Sequence, residues 1–153
     1  CVYIPNGQSV GSDKYRYKLD WLAALTTWLR GELAAHPKLA LLGDYNIAPA
    51  DADVHDPAAW AGQVLCSDPE RAAFRGLIDL GMSDSFRLFP QADRSFTWWD
   101  YHMQGFRRKL GLRIDHILLS APLATTCTGC RIEVALRALE RPSDHAPVIA
   151  DLA

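Results

Sequence analysis

GLRIDHILLS, Gly111 to Ser120, is an apolar run interrupted by one carboxylate, Asp115. Its length and its Ile and Leu content predict a buried strand. A buried carboxylate without a partner is costly, so some other group must pair with Asp115, and His145 is a candidate. His116 alternates to the opposite face of that strand and is read as structural. Three further stretches have the same character: VYIPNG (Val2 to Gly7), LLGDYN (Leu41 to Asn46) and PSDHAPVIADL (Pro142 to Leu152). Each joins an apolar run to Asp, Asn or His, as strands do when they deliver polar groups to a common rim. Four such strands can focus on one site.

Between them the chain alternates strands and helices. Val2 to Ile4 is a predicted strand that turns at Pro5-Asn6-Gly7. Asp13 to about His36 is a predicted amphipathic helix with Tyr17, Trp21, Leu25, Trp28 and Leu29 on its apolar face, stopped by Pro37. Leu39 to Gly43 is too short for a helix and is a predicted buried strand, followed by an acidic loop from Asp44 to Asp56. Ser67-Asp68-Pro69-Glu70 starts a second helix that runs to about Leu80 and is closed by Gly81. Ser83 to Phe89, Ser95 to Trp99, Arg113 to Leu119, Cys130 to Val134 and Pro147 to Leu152 are predicted strands. A few helices among many strands, without internal repeat, suggest an α/β arrangement of sheets covered by helices. No Gly-rich phosphate loop is present, which argues against a nucleotide-cofactor enzyme.

The strand ends carry the chemistry. Asp44 and Asn46 lie two apart after Gly43 and project the same way if the strand continues, offering oxygen ligands to a hard cation such as magnesium. The alternative is an Asx turn of no catalytic consequence. Asp144 and His145 precede a strand held between Pro142 and Pro147, and a carboxylate there can orient an imidazole. A contact between Asp115 and His145 would raise the basicity of the imidazole.

Composition bounds what such a site serves. The 153 residues are 49% hydrophobic and 22% charged, as expected of one globular domain. Lys and Arg total 16 and Asp and Glu 18, a net charge of −2, so a polyanionic partner must be met by a local patch. No apolar run approaches the roughly 20 residues of a membrane span, and a soluble cytoplasmic protein is expected. The four cysteines, Cys1, Cys66, Cys127 and Cys130, are not needed as staples, and the single CxxC at Cys127 to Cys130 lacks two further zinc ligands at a matching spacing.

The ordered set VYIPNG, GDYN, FTWWDY, GLRIDHILLS and SDHAPV resembles the second part of exonuclease III, the bacterial apurinic/apyrimidinic endonuclease group of the endonuclease/exonuclease/phosphatase superfamily. The resemblance covers nearly the whole chain. It implies the C-terminal portion of a four-layer α/β/β/α sandwich of the DNase I type, with divalent metal, Mg2+ or Mn2+, at the strand ends. Tyr3 matches the active-site tyrosine near the scissile phosphate and Asn6 the asparagine that helps hold that phosphate. Asp44 matches the aspartate that donates or accepts a proton, and Asn46 the residue that stabilises the transition state. Asp115 matches the aspartate that orients the catalytic histidine. Asp144 and His145 match the final pair at the metal and phosphate, so that Asp44, Asn46, Asp144 and His145 form the expected metal set.

The activity implied is cleavage of a phosphodiester 5′ to an abasic site and trimming of 3′ ends by an activated water. A nucleotide without a base is cheap to extrude, and Trp98 and Trp99 are candidate walls for it, although alternation places one of them in the core. Duplex DNA would be held by Arg107, Arg108 and Lys109, a basic cluster between Gly105 and Gly111, together with Lys14, Arg16 and Lys18, of which Lys14 and Lys18 also suit a solvated helix face. The family's first-half asparagine and its glutamate, in a run like LQETK, have no counterpart here; Glu32, Glu70, Glu133 and Glu140 lie in other contexts. The chain also opens on Cys1 and enters a strand at once. It is therefore read as residues 1–153 of a partial domain whose N-terminal part is absent, monomeric when intact, with apolar faces left open and little nuclease activity alone. A phosphatase of the same superfamily, acting on phosphoinositides or sphingomyelin-type lipids, and a non-catalytic nucleic-acid-binding remnant are the alternatives.

Overall fold

The computed structural model describes all residues, Cys1–Ala153. Strand β1 (Val2–Tyr3) leads through a loop into helix α1 (Asp13–Ala35), whose N-cap Ser12 accepts the Tyr15 amide on its Oγ at 3.1 Å. The helix closes where the His36 amide reaches Glu32 O, one residue before Pro37. Strand β2 (Ala40–Asp44) follows, then a 3-10 turn at Asp51–Asp53 and a single helical turn α2 (Pro57–Trp60). Helix α3 (Asp68–Ile78) begins after Ser67, whose amide donates to Glu70 Oε2 at 3.1 Å.

Strand β3 (Met82–Asp84) is shorter than the predicted Ser83 to Phe89 strand. Asp84 accepts the Phe86 amide and turns the chain into a 3-10 segment at Ser85–Leu88. Short strands β4 (Trp98–Trp99) and β5 (Gly111–Leu112) form an antiparallel ribbon. Then come β6 (Asp115–Ser120), the turn α4 (Ala121–Ala124), β7 (Cys127–Ile132) and β8 (Val148–Leu152). β7 takes up Cys127 through Ile132, where Cys130 to Val134 was expected; its partner β8 sets that span.

The main sheet has the order β1-β2-β6-β3, with β1 parallel to β2 and the other neighbours antiparallel. Alternation along β2 and β6 sends Leu41 and Leu118 to one face and Leu42 and Ile117 to the other. On the first face Leu22, Leu25 and Leu29 of α1 and Phe74 and Leu77 of α3 close a core with Ile4, Tyr45 and Ile47. Each leucine so buried contributes about 2 kcal/mol. The β7–β8 pair lies on the other side, with β8 against β6. The arrangement is the mixed α/β, DNase I-like fold expected.

The face α1 buries differs from the predicted one. Tyr15, Lys18, Leu22, Leu25 and Leu29 turn inward, whereas Tyr17 (61% exposed) and Trp28 (53% exposed) face water. The spacing of 3, 4, 3 and 4 is helical, but a lysine sits in the middle of the stripe, and a hydrophobic pattern skips it. Lys18 is fully buried, so it is neither a solvated surface residue nor a contact for DNA.

A second buried polar group stands at the start of β6. The Arg113 guanidinium donates from Nε to Asp53 Oδ1 (2.6 Å), from Nη2 to Asp84 Oδ2 (2.8 Å) and from Nη1 to His116 Nδ1 (3.0 Å). Arg87 also pairs with Asp53. A guanidinium only donates, so His116 Nδ1 accepts and its Nε2–H donates to Ile47 O at 2.9 Å. His116 is thus a buried neutral histidine with both ring nitrogens satisfied. Burial and the adjacent Arg113 charge push it down from 6.5 to about 4. Because its folded pKa lies below the unfolded one, the neutral ring stabilises the fold above about pH 6.5, and that contribution is lost as pH falls through about 4. The shift amounts to about 3 kcal/mol. Urea denaturation of the wild type should show this decline across the window, and His116→Gln should flatten it; equal slopes for the two proteins would contradict the assignment.

Candidate active site

Sheet register builds the site. Tyr3 stands opposite Asp44 in the β1–β2 pair, and Asp44 stands opposite Asp115 in the β2–β6 pair. Three side chains from three strands therefore lie in one row at the sheet's rim. Gly43 permits the first of these pairings. It has a φ of +140°, and a Cβ there would lie 1.9 Å from Val2 O, so any other residue would force β1 away from β2.

The end of the row is His145, carried in by the segment before β8. Its Nδ1 lies 2.9 Å from Asp115 Oδ2 and 3.1 Å from Oδ1. Asp115 is in turn positioned through its amide, which donates to Thr97 Oγ1 at 3.1 Å. The neighbouring backbone is pinned by Ala146 N to Thr97 O and by Trp99 N to Asp144 O, so β4 sets the position of the imidazole. Asp44, Asp115 and His145 bring one ligand atom each to within 4.8 Å of one another, and theirs is the one such cluster in the protein. They line a cavity of about 410 Å³ together with Leu42, Ile117 and Val148.

The electrostatics suit proton chemistry. Burial pushes the Asp44 carboxyl up to about 6, assisted by the neighbouring Asp115 and opposed by the Asn46 amide on its Oδ1. At neutral pH it ionises readily and still lies close to its protonated form. Burial opposes charge on His145, but its bond to Asp115 and the charges of Asp115, Asp44 and Asp144 outweigh that and hold the imidazole above its ordinary value. Two carboxylates and an imidazole are a donor set that fits a divalent cation.

Asp144 is not part of that cluster, and the Asn46 side chain is bonded to three neighbours. Asn46 is 4% exposed and has a φ of +50°. Its amide faces inward, donating to Ile4 O (3.0 Å) and Asp44 Oδ2 (3.1 Å) and accepting from Asn6 Nδ2 (3.1 Å). Asp144 Oδ2 accepts the indole N–H of Trp98 at 3.0 Å, which turns it away from the other carboxylates. Asp115, expected only to orient His145, joins the cluster. Tyr3 is 65% exposed at the rim, with its hydroxyl free to meet a ligand.

The tryptophans divide as alternation requires. Trp98 is half-buried beside Asp144, whereas Trp99 is 5% exposed and packs edge-on against Phe96 and Phe106. Trp99 is core and cannot be a wall for an extruded nucleotide. Arg107, Arg108 and Lys109 are exposed, as expected of a basic patch. The flanking glycines serve close packing rather than flexibility. A Cβ on Gly105 would lie 2.5 Å from Asp100 O, and one on Gly111 would lie 2.5 Å from Trp99 Nε1. The four cysteines are unbonded. No helix is long and apolar enough to cross a membrane.

Comparison with known proteins agrees with this geometry. The model of the endonuclease/exonuclease/phosphatase family matches residues 2–145. Exodeoxyribonuclease III of Haemophilus influenzae is 40% identical over 157 residues, which cover 97% of this chain and 59% of that protein. DNA repair nuclease APEX1 of Danio rerio is 32% identical, over 99% of this chain and 47% of its own length. Among solved structures, a 3′ phosphatase from Neisseria bound to product DNA hairpin superposes with a TM-score of 0.97 at 50% identity, covering 99% of this chain and 59% of that one. An AP endonuclease from Archaeoglobus fulgidus gives 0.92 at 35% identity, with the same two coverages. The chain thus spans somewhat more than half the length of these bacterial and archaeal relatives. Since the match runs from β1 through His145 and takes in every strand end of the site, the chain belongs to the endonuclease/exonuclease/phosphatase family.

Proposed function

We propose that the protein is a DNA-repair phosphodiesterase of the exonuclease III type, cleaving 5′ to abasic sites and trimming 3′ ends with the aid of Mg2+ or Mn2+. The observation that carries this reading is the row of Tyr3, Asp44 and Asp115 across three strands, ending in a histidine held by the last of them. The 50% identity with a 3′ phosphatase supports removal of 3′-blocking groups by the same centre.

Each residue has a step it can perform. Above about pH 6 Asp44 is ionised and able to take the proton of an attacking water; in its protonated form it can return one to the leaving oxygen. His145, kept basic by Asp115, presents a charged N–H to a phosphoryl oxygen, where it would offset the charge that builds in the transition state. Tyr3 and Asn6 stand where a phosphate would enter the rim. A divalent cation held by Asp44 and Asp115 would act as a Lewis acid on the same oxygens, with His145 able to join them as a ligand only in its neutral form.

Arg107, Arg108 and Lys109 would follow the phosphates of duplex DNA, with Trp98, bonded to Asp144, as the candidate wall for an extruded nucleotide. Incubating the complete gene product with abasic duplex tests the reading. Nicking 5′ to the abasic site that needs Mg2+ or Mn2+ and stops with chelator is expected, and no nicking with either ion would refute it. In the same preparation, Arg107→Gln/Arg108→Gln should reduce the slope of log affinity against log salt by about 2. An unchanged slope would remove these arginines from the DNA interface.

A further inference from the structure

One buried ion pair touches the site from behind. Lys18 of α1 is 0% exposed, and its ammonium donates to three oxygens: Glu70 Oε1 (2.5 Å), Asn46 O (2.7 Å) and Asn6 O (3.1 Å). All three of its N–H groups are used. Glu70 is also fully buried and fully engaged. Its Oε1 accepts the Leu65 amide at 3.0 Å, and its Oε2 accepts both the amide (3.1 Å) and the hydroxyl (2.5 Å) of Ser67. Ser67 Oγ is linked in turn to Tyr15 Oη of α1 at 2.6 Å.

Two of the three lysine contacts are the backbone carbonyls of Asn6 and Asn46, forty positions apart, whose side chains bond each other at the site. Both loops have other ties, such as Asn46 Nδ2 to Ile4 O and Ser12 Oγ to Gly7 O, but these two carbonyls have no donor other than Lys18. Asn46 sits in the left-handed region at φ +50°, a conformation uncommon for residues other than glycine. An apolar side chain at position 18 would leave both carbonyls unbonded and the buried Glu70 carboxylate without its cation. The buried charge is spent on those two loops.

We infer that Lys18, anchored by Glu70, is a positioning residue that sets the spacing of Asn6 and Asn46 and, through the Asn46 amide, the orientation of Asp44. This rests on the proposed phosphodiesterase reading, in which Asp44 and Asn6 face the phosphate and Asn46 bonds both. Displacements of about 1 Å at such a site lower turnover by about 10- to 100-fold.

The test compares Lys18→Met, Lys18→Met/Glu70→Gln and Leu29→Ala in the complete gene product, each confirmed folded by circular dichroism at the assay temperature. Leu29 is buried on the same helix about three turns away, so its loss destabilises the core without touching the site. Lys18→Met should lower kcat about 10- to 100-fold at saturating abasic duplex, whereas Leu29→Ala should keep it. If Lys18→Met alone does not fold, the double variant removes the stranded carboxylate and is read instead; kcat should remain low because the carbonyls are still free. A folded variant without Lys18 that keeps wild-type kcat would overturn the inference.

A wild type that cleaves nothing would refute the functional reading instead. The tether is then read from the side-chain amide resonances of Asn6 and Asn46 in 15N spectra. They should shift or broaden without Lys18, and resonances unmoved by its loss would overturn the inference independently.

Discussion

His145→Ala should lower kcat on abasic duplex by about three orders of magnitude while leaving DNA affinity within a few-fold of wild type. The size follows from what the imidazole does. It terminates the row of polar side chains and, on the proposed reading, presents a charged donor to the phosphate or, when neutral, one of three candidate cation ligands. None of these functions passes to a neighbour, because Asp144 is tied to the Trp98 indole and His116 is buried on the other face. Affinity should persist because the basic patch lies on a different segment.

Asp115→Asn separates the histidine's charge from its mere presence. The carboxylate keeps His145 above its ordinary pKa, so its replacement should move the limb of the pH–rate profile assigned to His145 toward lower pH as well as lowering kcat. Gel-based nicking assays under single-turnover conditions, run across pH for both variants, check the pair. A His145→Ala protein with more than a tenth of wild-type turnover would remove His145 from the chemistry.

Arg113→Met should destabilise the fold by about 3–5 kcal/mol, the largest stability effect expected of a single substitution here. Arg113 is 1% exposed, and its loss would leave Asp53 and Asp84 buried, with only the half-exposed Arg87 near Asp53. It would also leave His116 Nδ1 without its donor. A protein of this size loses about 2–4 °C of Tm per kcal/mol, so a fall of roughly 10–15 °C is anticipated. Restoring charge balance with Asp84→Asn in the Arg113→Met background should recover part of it. Guanidinium denaturation gives the comparison, and a loss below 1 kcal/mol would show that the network carries no such weight. Since Arg113 lies two residues before Asp115, its loss should also loosen the strand end that holds His145.

Much of the site was legible in the residues themselves. The apolar runs ending in Asp44, Asp115 and His145 marked three members of the rim, and the cost of burying Asp115 called for a partner that His145 provides at 2.9 Å. The second helix could be placed from Ser67-Asp68-Pro69-Glu70 because a proline in the first turn and a carboxylate at the positive end act locally. The resemblance groups Asp144 with the metal ligands; no local pattern shows that its Oδ2 accepts the N–H of an indole 46 residues away. Trp98 and Trp99 were known to part company, and only packing against Phe96 and Phe106 says that Trp99 is the inner one.

Lys18 shows the limit most clearly. Its position on an apolar helical stripe was present in the sequence, but a lysine in that pattern reads as solvated unless its acceptors are known. Those acceptors lie 12, 28 and 52 residues away, on three different segments. The same holds for Arg113, whose partners Asp53 and Asp84 are 60 and 29 residues distant. The sequence by itself determined the family, the order of strands and helices, and which strand ends carry polar groups, because hydrophobic period and turn chemistry act over a few residues. Only the tertiary structure decided which buried charges are paired, which polar side chains converge on one point and which turn away. Those outcomes depend on distances across the fold, where a charge is stable only if a specific partner arrives from elsewhere in the chain.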